Sequence, residues 1–90
     1  MILKKNPKTA WRTISGEGVI LSLDTKVLRG LNPVGARVWE LIDGGRSVDA
    51  IGQQIAREFE IETARAVADA QVFVQELIVR GLAEVTETPS

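Results

Sequence analysis

The 90-residue sequence has no cysteine, no histidine and no tyrosine. Without cysteine there is no disulfide framework, no thiolate nucleophile and no thiolate zinc site. Without histidine the commonest general base near neutral pH is missing too. Carboxylates remain, but Asp43, Asp49, Glu58, Glu60 and Glu62 sit where helix ends and solvated faces are expected, not in a constellation. The expectation is a protein that is not an enzyme and holds neither metal nor cofactor. Charge of one sign is also lacking: eleven basic and twelve acidic residues give a net charge of -1. A dedicated nucleic-acid binder usually carries a clear basic excess. Nor is there an apolar run near the roughly 20 residues that span a bilayer, and the lysine-bearing start, Met1 to Lys8, lacks the apolar stretch of a signal peptide. A cytoplasmic protein that meets neither membrane nor nucleic acid follows as the expectation.

What is present suffices for one modest core. Hydrophobic residues make up 44% of the chain, and a chain this short hides only about 60–65% of its unfolded surface. Residues 1–9, basic and proline-containing, read as a flexible arm, 10–85 as a single domain and 86–90 as a flexible tail. From Ala10 to Leu31 the apolar period is two. Trp11 and Thr13 alternate with Arg12 and Ile14, and Ser15-Gly16-Glu17-Gly18 is a turn. Val19, Leu21 and Leu23 then share one face, with Ile20 and Ser22 on the other. Asp24-Thr25 is a second turn, and Lys26 to Leu31 is a third extended stretch. Three short segments joined by tight turns make an antiparallel meander.

At Asn32 the period changes to that of a helix. Asparagine is a good N-cap, and the proline after it fills a position whose N–H has no helical partner. Val34, Val38, Leu41 and Ile42 share a face, and Gly44-Gly45 ends this helix. Ser47 caps the second helix, whose stripe is Val48, Ile51, Ile55 and Phe59. After Glu60-Ile61-Glu62, Thr63 caps a long third helix that runs to Arg80 and stops at Gly81. Leu82 to Val85 is a short strand or a strap over the core. The fold class is α+β and winged-helix-like: a three-stranded antiparallel β-meander followed by three α-helices.

The stretch Leu31-Asn32, the block Val38-Trp39-Glu40-Leu41-Ile42-Asp43-Gly44, then Ser47-Val48 and Ile51, and later Asp69, Phe73, Leu77 and Gly81-Leu82 resemble the PqqD-like family. The resemblance covers roughly residues 19–82. It implies a winged-helix-like domain that recognises the leader of a ribosomally synthesised precursor peptide (a RiPP recognition element). Such a domain presents the leader to a peptide-modifying enzyme such as a radical SAM enzyme. It also implies that the leader adds as a strand beside the third strand, in a cleft walled by the third helix. The form of PqqD tied to pyrroloquinoline quinone carries a Tyr-Pro-Glu-Gly-Met-like stretch before the Leu-Asn, and often Gly-Trp near the end. Here those places read Ser22-Leu23-Asp24-Thr25 and Gly81-Leu82. The departure points to another peptide pathway.

Strand addition needs an unpaired edge, whose N–H and C=O groups an extended peptide meets with its own. Lys26, Val27, Leu28, Arg29 and Gly30 are the candidate edge, with Lys26 and Arg29 placed either to pair with acidic leader residues or only to protect the edge from aggregation. On the third helix, Ala66, Val67, Ala70, Phe73, Val74, Leu77 and Ile78 make the core arc, and Arg65, Asp69, Glu76 and Arg80 the solvated side. Ala68, Val72, Gln75 and Val79 lie between. Val72 and Val79 either touch the sheet or tail, or line the peptide groove or a homodimer contact. Trp39 belongs to the core; Trp11 packs on the sheet or lies exposed. Two rival readings stay open, a winged-helix DNA-binding protein and an assembly module that binds a protein but no leader. Against the first, the exposed face of the third helix offers Arg65 and Arg80 but also Asp69 and Glu76, hence no net charge.

Overall fold

The computed structural model describes residues 1–87. Along them run β1 (Ile2–Lys5), β2 (Thr9–Ile14), β3 (Glu17–Ser22), β4 (Leu28–Leu31), α1 (Pro33–Leu41), α2 (Val48–Phe59), α3 (Thr63–Val79) and β5 (Ala83–Glu87). The α+β class and the three-stranded antiparallel meander followed by three helices stand as the sequence indicates. Strands β2, β3 and β4 form one sheet in that order. Ser15 and Gly16 both take positive φ, 52° and 79°, which closes β2 onto β3 through a two-residue loop whose twist suits a hairpin.

The face of this sheet turned to the helices is the one bearing Ile20 and Ser22. Ile20 is fully buried, and Ser22 and Thr9 are buried beside it. The two hydroxyls are satisfied locally: Thr9 Oγ1 donates to the Asn6 carbonyl at 2.6 Å, and Ser22 Oγ accepts from the Thr25 N–H at 3.2 Å. Val19 and Leu21 stay half-buried on the outer face.

Residues 1–9 are not a free arm. β1 pairs antiparallel with β5, Leu3 opposite Val85 and Lys5 opposite Ala83, and Leu3 is 1% exposed. The Leu3 carbonyl accepts from the Gly44 N–H at 3.0 Å, and the Met1 carbonyl from the Val48 N–H at 2.9 Å. Lys5 extends from β1 to donate to the Ile42 carbonyl at 2.7 Å. Its ammonium lies 5.1 Å from the Trp11 ring and 5.3 Å from the Trp39 ring, a cation–π arrangement. Partial burial lowers the Lys5 pKa, with Asp43 and Glu40 opposing. The expected tail is likewise corrected at its start, because Thr86 and Glu87 belong to β5 and Thr86 Oγ1 donates to the Ile2 carbonyl. The remainder of that tail, residues 88–90, lies outside the described residues.

The helix ends follow the sequence signals, with two exceptions: α1 stops at Leu41, where Ile42 turns extended ahead of Gly44-Gly45, and the start of α3 is shifted by one residue. Asn32 Oδ1 accepts from the Gly35 N–H at 2.7 Å, and Ser47 Oγ from the Ala50 N–H at 3.1 Å. At α3 the cap position is Glu62, not Thr63, and no side chain caps it. The other end of α3 closes at Gly81 (φ 72°). There the Gly81 N–H reaches the Ile78 carbonyl and the Leu82 N–H the Leu77 carbonyl, the left-handed stop that favours glycine.

Trp39, Ile42, Ile51, Ile55, Val74, Leu77 and Leu82 fill the centre with Leu3 and Ile20, each no more than 1% exposed. Close approach of α2 to α3 depends on Gly52, where an added Cβ would stand 2.5 Å from Val67 Cα. Arg37 on α1 clamps Glu58 on α2 through two hydrogen bonds of 2.7 and 2.9 Å.

Candidate peptide-binding cleft

β4 is the outermost strand of its sheet among the described residues. Its register with β3 pairs Leu28 with Leu21, Arg29 with Ile20, Gly30 with Val19 and Leu31 with Gly18. Just before it, the Ser22 N–H donates to the Val27 carbonyl at 2.9 Å. Hydrogen-bonded and non-hydrogen-bonded pairs alternate along an antiparallel ladder. Val27, Arg29 and Leu31 therefore face β3 with their backbone groups, while the N–H and C=O of Leu28 and Gly30 point to the open edge. Leu28 itself is 65% exposed, and nothing lies within 4 Å of where a Gly30 Cβ would be. On that edge the Gly30 carbonyl accepts from Arg29 Nη1, and the N–H and C=O of Leu28 and the N–H of Gly30 have no partner among the described residues.

The proposed edge narrows in one respect. Lys26 has φ 64° and donates its N–H to the Ser22 carbonyl. It belongs to the β3–β4 turn, so the extended segment begins at Leu28. A turn residue in the left-handed region is seldom a lysine, which is why the sequence reads as strand there.

From the inner face of β4, Arg29 reaches α3. Its Nε and Nη2 bind the two carboxylate oxygens of Glu76, the second at 3.2 Å, and its guanidinium stands 5.8 Å from the Phe73 ring. The hydrogen bond from Arg29 holds the Glu76 carboxyl below its ordinary pKa, and the same bond raises that of Arg29. The sequence placed Glu76 on a merely solvated side and Phe73 merely in the core. Neither residue type announces a partner on a strand 40-odd positions earlier. Beyond Phe73 the cleft opens into a hollow of about 280 Å³ lined by Asn32, Val34, Gly35, Ile61, Asp69 and Phe73 among others.

Val72 and Val79 are 73% and 83% exposed, so they are not core. They neighbour Glu76 on the helix surface at spacings of four and three, which sets them on the crest of α3 beside the cleft. Ala68 and Gln75 are turned further round. With Val72 they line a second, more open hollow of about 620 Å³ that includes Met1, Val48 and Asp49. Of the predicted residues, Leu28, Arg29 and Gly30 lie on β4 with Lys26 and Val27 just before it, Val72 and Val79 stand exposed on either side of Glu76 along α3, and Val72 is shared with the far flank that Ala68 and Gln75 line. Trp11 is 49% exposed and stands edge-on to Trp39 at 5.6 Å. Among the described residues no cluster of three or more Asp and Glu is arranged to hold a metal ion, and no helix is long and apolar enough to cross a membrane.

Residues 17–83 match the family described as Coenzyme PQQ synthesis protein D (PqqD). No curated protein matches the chain. Among solved structures, TbiB1 in complex with the TbiA(beta) leader peptide has the same fold at a TM-score of 0.83. It is 27% identical, over 94% of this chain and 99% of that one. Lasso peptide synthetase B1 complexed with the leader peptide matches in fold at a TM-score of 0.81 and 21% identity, over 94% of this chain and 100% of that one.

Proposed function

The chain belongs to the PqqD family, and from that premise we propose that it binds the leader of a ribosomally synthesised precursor peptide as an added strand on β4 and presents it to a peptide-modifying enzyme. The observation that carries this reading is the open edge of β4. Leu28 offers an unpaired N–H and C=O there and Gly30 an unpaired N–H, while the Gly30 carbonyl accepts from Arg29 Nη1, alongside a helix to which the same strand is tied through Arg29 and Glu76. An extended peptide on such an edge gains register from main-chain hydrogen bonds and selectivity from its alternate side chains. That TbiB1, with the same fold, is complexed with a leader peptide supports the same use of the fold here.

The protein acts without catalysis of its own, since the residue types that supply most nucleophiles and general bases are missing from its sequence. For the enzyme it serves, a radical SAM enzyme is one candidate class. The departures at Ser22 to Thr25 and Leu82 favour a pathway other than pyrroloquinoline quinone synthesis. Titration of the protein with a labelled synthetic leader, taken from the precursor encoded beside its gene, tests the reading. Saturable binding supports it, and the absence of binding contradicts it.

A further inference from the structure

Three charged side chains meet at the cleft in an unequal ratio. Glu76 Oε2 receives the Nε of Arg29 and lies 3.3 Å from the Nε of Arg80, while Oε1 accepts from Arg29 Nη2 at 3.2 Å. Two guanidiniums share one carboxylate, which leaves a surplus positive charge in a chain whose net charge is -1. The helix dipole accounts for a cation at the end of α3, where Arg80 sits. It does not account for Arg29, which is on a strand and held in place by Glu76 and the Phe73 ring. At the opposite end of the cleft the charged residue lining the hollow is Asp69, paired with Arg65 at 3.7 Å, so no cationic surplus exists there.

Resting on the reading that a leader strand adds to β4, we propose that Arg29 and Arg80 select a leader with a carboxylate side chain at the position directly opposite Arg29. The register dictates where this position falls. Leu28 and Gly30 form the hydrogen-bonded pairs with an added antiparallel strand, so Arg29 falls at a non-hydrogen-bonded pair. There the cross-strand side chains come closest, with Cβ atoms about 4.5–5.5 Å apart. Glu76 takes one N–H each from Nε and Nη2 and the Gly30 carbonyl one from Nη1, and an aspartate or glutamate opposite Arg29 meets the two of the five guanidinium N–H groups that remain. A lysine or arginine there meets like charge, which destabilises a cross-strand pair. Charge on the edge strand thereby fixes both the composition of the leader at one position and its register along the strand.

The test uses a display library of randomised twelve-residue peptides selected on the whole protein. Binders of the wild type that are lost on Leu28→Pro are expected to be enriched in Asp or Glu at one position. Glu→Gln at that position in a synthetic binder is expected to weaken affinity roughly five- to tenfold for the wild type, the range of a partly exposed charge-assisted contact, and less than about twofold for an Arg29→Gln/Arg80→Gln variant. If that variant fails to fold, Arg80→Gln alone, with the Glu/Gln affinity ratio compared at low and high salt, reads the same contact. Leu28-dependent binders with no acidic position, or an acidic preference that survives in the variant, overturn the charge selection while leaving strand addition intact. A selection that yields no Leu28-dependent binder overturns strand addition and the charge selection together.

Discussion

Leu28→Pro separates the peptide-binding role of β4 from its structural role. The Leu28 N–H points to the open edge, because its neighbours Val27 and Arg29 are the ones paired with β3. Proline is tolerated on an edge strand where its missing N–H would have faced solvent. The substitution therefore leaves the β3–β4 ladder complete. To an added strand the loss is larger: one main-chain hydrogen bond disappears, and the peptide carbonyl that would have accepted it is left unpaired beside a pyrrolidine ring. An unsatisfied polar group of this kind costs about 1–3 kcal/mol, so the leader is expected to bind roughly ten- to a hundredfold more weakly. Fluorescence anisotropy with a labelled leader measures the affinity. Circular dichroism melting checks that the fold is kept, and Arg29→Pro serves as contrast because it removes an N–H directed at β3. An unchanged leader affinity in a folded Leu28→Pro protein would refute the edge assignment. Loss of the fold would refute the alternation on which the assignment rests.

Other perturbations probe the scaffold and the cleft wall. Gly52→Ala pushes a methyl into the Val67 backbone and should cost about 1–3 kcal/mol, seen as a melting temperature lower by at least about 4 °C; an unchanged melt would mean that α2 and α3 separate freely. Val72→Glu with Val79→Glu should leave the melt within about 2 °C of wild type, since both side chains are exposed, while weakening the leader several-fold; full affinity would move the leader away from the crest of α3. The hydrogen bond from Arg37 depresses the Glu58 pKa to about 2. A carboxylate with a lowered folded-state pKa contributes stability above its ordinary pKa near 4.5 and loses it as pH falls toward 2. Glu58→Gln should therefore cost stability at pH 7 and lose less than wild type between pH 5 and pH 2. Both effects are small, on the order of a few degrees at most, because the pair is partly exposed. Parallel acid-melting profiles for the two proteins would contradict the assignment.

Local signals made much of this molecule legible. The caps at Asn32 and Ser47 and the stop at Gly81 are chemistry between residues a few positions apart, and all three mark helix ends in the structure. The period-two stretch to Leu31 likewise marks the meander. What escaped is non-local. β1 has one fully buried side chain, Leu3, in a segment too short and too lysine-rich to show a period, and its partner strand lies at the other end of the chain. The cleft wall was only half legible for the same reason. Helical geometry placed Val72 and Val79 outside the core arc, but no sequence pattern reveals that Arg29 crosses to Glu76. The turn at Lys26 carries no local signal, because a left-handed turn is usually announced by glycine or asparagine.

The central claim is that a leader strand completes the sheet at β4, and residue-resolved amide hydrogen exchange with and without the synthetic leader tests it most directly. The account predicts that the Leu28 and Gly30 amides, which face the open edge, become strongly protected on binding, while those of Arg29 and Leu31, already paired with β3, change little. Protection that appears elsewhere, with Leu28 and Gly30 still exchanging freely under saturating leader, would contradict it.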